Sequence, residues 1–317
     1  MRFTLRQLEL FVAACELGSL TAAAERQHIA QSAVSSAIQT LERAIGVSLL
    51  LRHHAAGVSP TPEGARFLER ARELLRTADE LDRFSSDLTT EVGGPLEIGC
   101  LVTVAPVVMP RLARSFLDRY PAVDLHLTEA GQDELLAKLR TGAISLALTY
   151  DLDIDPARFA HQVLVDLPPR AIVAADSPLA GRTGGVDLAE LAEQPLVLLD
   201  LPLSGEYFLS LFRAQGIEPR VAHRSPHLEV VRSLVASGFG ASLINIEPAS
   251  LTSLDGGRLA TLPLLGEHRP MRLGLASRLA RFESRTAAAF REHAVAALGA
   301  RGHALSGAAP GRGARTT

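Results

Sequence analysis

The sequence predicts an α/β protein that opens with an all-α winged helix-turn-helix, continues through a long linker helix and ends in two α/β lobes. Three observations carry this. Residues 1–60 hold two short amphipathic helical patterns joined by a tight turn, followed by two short extended stretches. From Phe67 to Leu88 apolar residues recur at spacings of 4 and 3. Beyond Gly93-Gly94-Pro95 the pattern changes to strands alternating with helices. At about 150 residues per domain, a chain of 317 residues has room for two domains. With 47% hydrophobic and 21% charged residues it has ample core. Aromatics reach only 4% and Trp is absent, so the core is built from Leu, Val, Ile and Ala.

The first helix carries Leu5, Leu8, Phe11, Val12 and Cys15 on one face and stops at Gly18. A second runs from Thr21 to Gln27, capped by Ser19 or Thr21. After a break at His28-Ile29-Ala30, a third covers about Gln31 to Ile45. Val34, Ile38, Leu41 and Ile45 keep its period, and Gly46 ends it. The segment from Val47 to Pro60 fits a β-hairpin wing. Pro62-Glu63 opens the long helix, on the order of 40 Å through Thr89. Its seam is Phe67, Ala71, Leu74, Ala78, Leu81, Ser85 and Leu88, with a polar slot at Ser85. The length and regularity favour pairing with a second copy over packing on its own domain.

Strands are expected at Leu96–Cys100, Val123–Thr128, Ser145–Tyr150, Val163–Leu167, Ala171–Ala174, Leu196–Leu199, Gly240–Leu243 and Met271–Ala276. Helices are expected at Pro106–Tyr120, Asp133–Thr141, Asp187–Ala192, Glu206–Gln215, His227–Ser237 and Ser284–Leu298. Such alternation implies largely parallel sheets and a cleft at the strand ends. The domains are then 1–61, a DNA-binding unit; 62–90, a dimerising linker helix; 91–298, a ligand-binding domain; and 299–317, a Gly, Ala and Arg rich tail that reads as disordered.

Charge and composition exclude several classes. Net charge is −3, but residues 1–60 hold five arginines against four glutamates and no other charged residue except histidines. DNA binding there needs oriented donors and helix ends to supplement a net +1. Cys15 and Cys100 cannot form a disulfide framework. The first twenty residues do not have the pattern of a signal peptide, and no uncharged apolar run reaches 18 residues, so a cytoplasmic protein without membrane contact is expected.

Gln31, Ser32, Ser35, Ser36 and Gln39 cluster at the start and along one side of the third helix. Glutamine can read adenine bidentately, and serine hydroxyls reach bases or phosphates. A merely solvated helix face is the alternative, and the preceding turn favours DNA contact. Arg43 fits either a phosphate clamp or a salt bridge near Glu42. Arg52, His53 and His54 lie in the wing, within reach of phosphate or minor groove. No third ligand accompanies the paired histidines, so they do not read as a metal site. His223 and His227 have helical metal spacing, but Pro226 between them breaks the helix. His227 instead starts a helix facing the cleft. No Gly-x-Ser-x-Gly elbow, phosphate loop or His-Glu-x-x-His occurs, and no cofactor is implied. Ligand donors are expected where strands end and helices begin: Thr103, Gln132, Tyr150, Ser204 and Tyr207, with His227. Helix starts favour an anionic ligand such as a small organic acid.

On these residues the chain resembles the LysR-type transcriptional regulators over about residues 3–298. Leu5-Arg-Gln-Leu-Glu-Leu-Phe11 is similar to the family's opening helix, and Gly18-Ser-Leu-Thr-Ala-Ala-Ala-Glu25 to its second. Gln31-Ser-Ala-Val-Ser-Ser-Ala-Ile-Gln-Thr-Leu-Glu42 with Gly46 resembles the recognition helix, and Thr61-Pro-Glu-Gly64 the start of the linker helix. Gly94-Pro-Leu-Glu-Ile-Gly99, Met109-Pro110, Tyr120-Pro121 and Val235-Ala-Ser-Gly-Phe-Gly240 match the effector domain more loosely. The sequence departs at Ala30, where Ser is usual, at Ser32 for Pro, at Ser145 for Asp and at Pro60 for Leu. The resemblance implies a periplasmic-binding-protein-like effector domain and a non-enzymatic regulator. It implies a homodimer or homotetramer on double-stranded operator DNA, with a small-molecule effector in the cleft and RNA polymerase as a further partner. Some family members sense peroxide through a cysteine pair, a route that Cys15 and Cys100, in different domains, do not offer. A DNA-binding domain fused to a biotin ligase is the alternative class. It needs a Gly-Arg-Gly-Arg loop, approached only by Gly311-Arg-Gly-Ala-Arg315 in the tail, and lysine chemistry that the single Lys138 poorly supplies. A solute-binding protein is contradicted by the first 90 residues.

Overall fold

The computed structural model describes residues 2–53, 57–87, 91–182, 184–279 and 283–299. The chain divides into two compact units, Met1–Thr90 and Glu91–Thr317. In the first, α1 (Leu5–Leu17) starts from a reciprocal cap: Gln7 N donates to Thr4 Oγ1 while Thr4 N donates to Gln7 Oε1. It ends at Gly18, whose φ of 61° suits glycine. Ser19 caps α2 (Leu20–Arg26) through Ala22 N. After a turn with His28 at φ 53°, α3 (Gln31–Ile45) begins at Ala30 without a side-chain cap. Leu8, Phe11, Ala23, Val34, Ile38 and Leu41 form the three-helix core.

The wing is β1 (Leu50–His53) paired antiparallel with β2 (Gly57–Pro60), with Leu50 opposite Pro60 and His53 opposite Gly57. Gly57 has φ 88°, and a Cβ there would lie 2.1 Å from the Gly18 carbonyl oxygen. That oxygen accepts from Val58 N at 2.8 Å, pinning the wing to the end of α1. His54 lies outside the described residues.

The long helix α4 (Pro62–Asp87) divides the predicted seam. Phe67 and Ala71 pack on the unit's own core, with Phe67 5.7 Å from Phe11 and 6.1 Å from Phe3. Leu74 and Leu81 are exposed, at 37% and 67%. The seam is therefore intramolecular in its first turns and open beyond them. Leu88 lies outside the described residues.

The second unit has two lobes. In the first lobe five strands run in the order β4-β3-β5-β12-β6. They are β3 (Gly94–Leu101), β4 (Val123–Ala130), β5 (Leu146–Tyr150), β6 (Phe159–Leu167) and β12 (Met271–Arg278). Helices α5 (Ala105–Arg119), α6 (Gln132–Thr141) and α10 (Arg285–Gly299) complete it. The second lobe holds β7 (Arg170–Ala174), α7 (Leu188–Ala192), β8 (Leu196–Leu199), α8 (Ser204–Arg213), β9 (Val221–Ser225), α9 (Leu228–Ala236), β10 (Ser242–Ile244) and β11 (Leu259–Pro263). Its strands pair as β10-β7-β11 and β8-β9, joined by a bridge between Leu196 and Ala241.

The expectation of largely parallel sheets is corrected. β3 pairs parallel with β4 and β5, and β8 with β9, but β12 is antiparallel to β5 and β6, as β7 is to β10 and β11. The cause is the double crossing between lobes. β6 leaves toward the second lobe and β12 returns from it, so the two must run in opposite directions. β9 and β11 carry no strand expectation; both are edge strands, β9 polar and β11 closed by Pro263. The tail expected to be disordered lies outside the described residues, beyond Gly299, the last residue of α10. Among the described residues no helix is long and apolar enough to cross a membrane.

Candidate nucleic-acid interface and ligand cleft

Gln31, Ser32, Ser36 and Gln39 stand exposed on α3, and Ser35 is half-buried beside them. The wing meets this face: Arg52 Nη2 donates to Ser35 Oγ at 3.3 Å. His53 Nε2 lies 2.8 Å from Ser59 Oγ across the hairpin. Arg43 does not pair with an acid among the described residues. Its Nη2 donates to Thr40 Oγ1 at 3.0 Å, leaving an exposed cation on the C-terminal half of α3. The salt-bridge alternative fails because Glu42 is committed elsewhere. Its Oε1 accepts the backbone N–H of Leu49 at 2.7 Å and of Leu50 at 3.1 Å.

Glu42 anchors the wing, a contact that its sequence reading as a neighbour of Arg43 did not include. Its carboxylate ties the start of the wing to α3 through these two backbone N–H groups. Thr61 completes the clamp. Its N donates to Leu49 O and its Oγ1 to Ser48 O, each at 2.9 Å, and that hydroxyl accepts from Gly64 N. A Cβ on Gly64 would lie 1.9 Å from Leu49 O, so the Thr61-to-Gly64 motif sets how closely α4 approaches the wing.

In the second unit the strand ends open onto two adjoining chambers between the lobes. Thr103, Tyr150 and Ser204 line both. The first chamber adds Gly131, Gln132, Leu152 and Leu203; the second adds Leu199, Phe208, Leu228, Ile244, Asn245 and Met271. Thr103 follows β3, Gln132 opens α6, Tyr150 ends β5 and Ser204 opens α8. Burial pushes the Tyr150 phenol well up, against a hydrogen bond from Thr103. Gln132 is buried, accepting from Thr149 Oγ1 at 2.9 Å and donating to the Leu152 carbonyl. Its side chain therefore stiffens the chamber wall. Leu203 holds φ 67° and ψ −43°, a costly backbone for a non-glycine residue, at the mouth of α8.

Two expected ligand residues are not in the lining. Tyr207 lies one turn into α8, and its hydroxyl donates to Arg269 O at 2.6 Å. Burial pushes its phenol up to about 12. His227 caps α9 as expected, but it is exposed and only its neighbour Leu228 reaches the chamber. Asn245 was missed. It is 5% exposed and Nδ2 donates to Leu167 O at 3.0 Å. Tyr207 and Asn245 thus hold the carbonyls of the two interlobe crossings. The signal was available, because Asn245 follows β10 as Thr103 follows β3. Beside it, Asp151 accepts from Arg272 Nε at 2.6 Å and Arg272 N at 3.2 Å. Burial opposes ionisation of Asp151, but Arg272 and Arg269 outweigh it and hold the carboxyl below its ordinary 3.8.

Burial disfavours the thiolate form of both cysteines. Burial pushes Cys15 up to about 11, against Arg72, and pushes Cys100 higher still. Among the described residues no group of three or more His, Cys, Asp or Glu could hold a metal. His223 lies on β9 against Phe239, apart from His227.

A winged helix-turn-helix joined to a two-lobed α/β domain with an interlobe cleft defines a ligand-responsive DNA-binding regulator. The family description LysR substrate binding domain matches residues 89–299, and the bacterial regulatory helix-turn-helix protein, lysR family, matches residues 5–65. The chain belongs to the LysR family of transcriptional regulators. It is 34% identical over 257 residues to the regulator TfdS of Cupriavidus pinatubonensis, covering 78% of this chain and 83% of the relative. It is 31% identical over 242 residues to the hydrogen peroxide-inducible genes activator of Pectobacterium carotovorum, covering 76% and 79%. The structure of HinK, a LysR family regulator from Pseudomonas aeruginosa, matches with TM-score 0.65 and 34% identity over 94% of this chain and 99% of that one. The chain is accordingly a regulator with an effector-binding domain and not an enzyme, which removes the biotin-ligase alternative.

Proposed function

We propose that this regulator reads operator DNA with α3 and the wing, pairs with a second copy through α4 into a homodimer or homotetramer, and responds to a small organic acid in the cleft. The reading places it in the cytoplasm, beside DNA and RNA polymerase. The observation that carries the DNA half is the continuous polar face of Gln31, Ser32, Ser36 and Gln39, joined by Arg52 through Ser35. Gln31→Ala should cost about 1–3 kcal/mol on the specific site if it contacts a base bidentately. Binding to random duplex should hardly change. Equal loss on both duplexes, titrated at one salt concentration, would show a backbone contact only.

The effector half is supported by hydroxyls converging from both lobes, Thr103 and Tyr150 from one and Ser204 from the other. A ligand held by both lobes favours one relative orientation of them, and only such differential affinity shifts a population. The first residue of α6, Gln132, borders the first chamber, and that helix start suits a carboxylate; at the start of α8 the amides of Ser204 and Gly205 already donate to Pro202 O and Leu201 O. Thermal-shift screening against organic acids, with Thr103→Val and Ser204→Ala as controls, tests the placement. Equal shifts in both controls and parent would move the site elsewhere. Peroxide sensing at a thiol is not part of this reading, since burial raises both thiols.

A further inference from the structure

On the second lobe a groove of about 370 Å³ runs between α9 and the loop that precedes β11, sharing no lining residue with the interlobe chambers. Val230, Leu234 and Leu254 make its apolar part, and Glu229, Ser233 and Asp255 its polar part. A Cβ on Gly257 would lie 2.7 Å from Ala236 Cβ, so this glycine lets the loop lie against the helix. Leu254 is 85% exposed and Val230 46%, which leaves the apolar part uncovered. Glu229 Oε1 accepts from Arg232 Nη1 at 2.5 Å, and Arg232 also donates to the Ser250 and Thr252 carbonyls. Glu229 Oε2 has no hydrogen-bond partner among the described residues. Asp255 is exposed, and a hydrogen bond from Ser253 Oγ at 2.5 Å holds its carboxyl below the ordinary 3.8. Among the described residues no cation stands against it.

We propose that residues 300–317 of the same chain dock onto this groove, setting arginine side chains against Asp255 and Glu229 and covering Leu254. The segment holds Arg301, Arg312 and Arg315 and no acid, with Leu305 and Pro310 as apolar side chains. Residues 91–299 hold 24 acids against 19 arginines and lysines, so the segment and the domain it follows are opposite in charge. The chain runs on for 18 residues past Gly299, where α10 ends. Extended, 18 residues reach about 60 Å. A domain of about 210 residues has a radius of gyration of about 17 Å, so each of its faces lies within that reach. DNA phosphate would also meet the arginines, but it offers nothing to Leu305 and leaves Leu254 in solvent, whereas the groove matches both. An exposed ion pair contributes only about 0–1 kcal/mol. The tether adds to it by presenting the segment at an effective concentration on the order of 1 mM.

The test uses the full chain and a fluorescent peptide of residues 300–317, titrated by anisotropy. The triple variant Arg301→Ser, Arg312→Ser and Arg315→Ser frees the groove and should bind the peptide with a Kd of about 0.1 mM or below. The parent should bind it about tenfold more weakly, because its own segment, tethered at about 1 mM, competes. Adding Leu254→Ser and Asp255→Lys to the triple variant, both at exposed positions, should weaken the peptide by about tenfold again. Equal binding to parent and triple variant overturns the proposal, and so does binding that ignores Leu254 and Asp255. No binding up to about 1 mM overturns it as well. If the triple variant instead shows a salt dependence on random duplex that is shallower by about 0.9 per arginine, with no peptide bound, the segment belongs to DNA and the proposal falls. A fall in mass by light scattering on Leu254→Ser with Asp255→Lys, at unchanged peptide affinity, gives the groove to a second copy and overturns it too.

Discussion

In the first unit the residues proposed to meet DNA, Gln31, Ser32, Ser36 and Gln39, stand in solvent on one helix. In the second, Gln132, Tyr150 and Asn245 are each only 5% exposed and come from the ends of different strands. DNA brings its own dense charge, so an exposed face with oriented donors and few cations can meet it. A small ligand must instead be enclosed, and its site can be built only where the chain returns repeatedly to one place. The first unit therefore depends on how neighbouring elements are fixed to α3. The second depends on how its two interlobe crossings are held. Substitutions that act on one of these devices and leave the other unit untouched separate the two.

The largest effect is expected at α4. Leu74 and Leu81 are exposed leucines on the same predicted seam. Exposed apolar side chains at heptad spacing are satisfied by a second helix. Leu74→Asp with Leu81→Asp should halve the mass seen by light scattering. It should also weaken operator binding by at least about 100-fold, because two half-sites are then no longer bound by one assembly. Melting of the second unit should stay as in the parent. A double variant that keeps the parent mass would show that this seam is not the contact.

A smaller loss should follow Glu42→Ala. Leu49 and Leu50 lose the acceptor of both N–H groups, and unsatisfied amides cost about 1–3 kcal/mol. Operator affinity should fall about tenfold, the equivalent of about 1.4 kcal/mol, as the wing loses its position against α3. Glu42→Gln, which can still accept one of these bonds, should recover part of it. Ligand-induced melting shifts of the second unit should be unchanged by either. If Glu42→Ala binds operator as the parent does, the wing is positioned by Thr61 and the Gly18 contact alone.

How much of this was legible in the sequence follows the same division. The helices of the first unit could be read because caps, periodicity and glycine stops are local: Ser19, the Val34–Ile38–Leu41 spacing and Gly46 each act within a turn or two. Strand ends in the second unit could be read for the same reason, and Thr103, Tyr150 and Ser204 do meet at the cleft. Longer-range consequences could not. That Glu42 reaches across to Leu49 depends on where the chain folds back. That Tyr207 binds a crossing and not a ligand depends on a partner 62 residues away. The antiparallel β12 depends on a return through another lobe, which no window of sequence contains.

The smallest expected effect concerns the second unit's crossings and is a matter of pH. Asp151 follows β5 and meets Arg272, which lies in β12, and Arg269 just before it. It therefore ties the end of one cleft strand to the segment returning from the other lobe. Its carboxyl is held below the ordinary 3.8 because the arginines outweigh burial. For an acid whose folded pKa is depressed, the stabilisation is fully present above the unfolded value and is lost as pH falls through the folded one. Hydrogen bonds to a charged group contribute about 1.5–3 kcal/mol. Asp151→Asn should therefore lower the melting temperature of the second unit at pH 7, with operator binding by the first unit unaffected. The gap between parent and variant should persist from pH 7 down to about pH 4, widening as His161 takes up its proton because Asp151 favours the charged imidazole, and should close below it, as the parent's carboxylate takes up a proton. A gap that stays constant down to pH 2.5 would mean that the Asp151 charge contributes nothing and that the crossing is held by Tyr207 and Asn245.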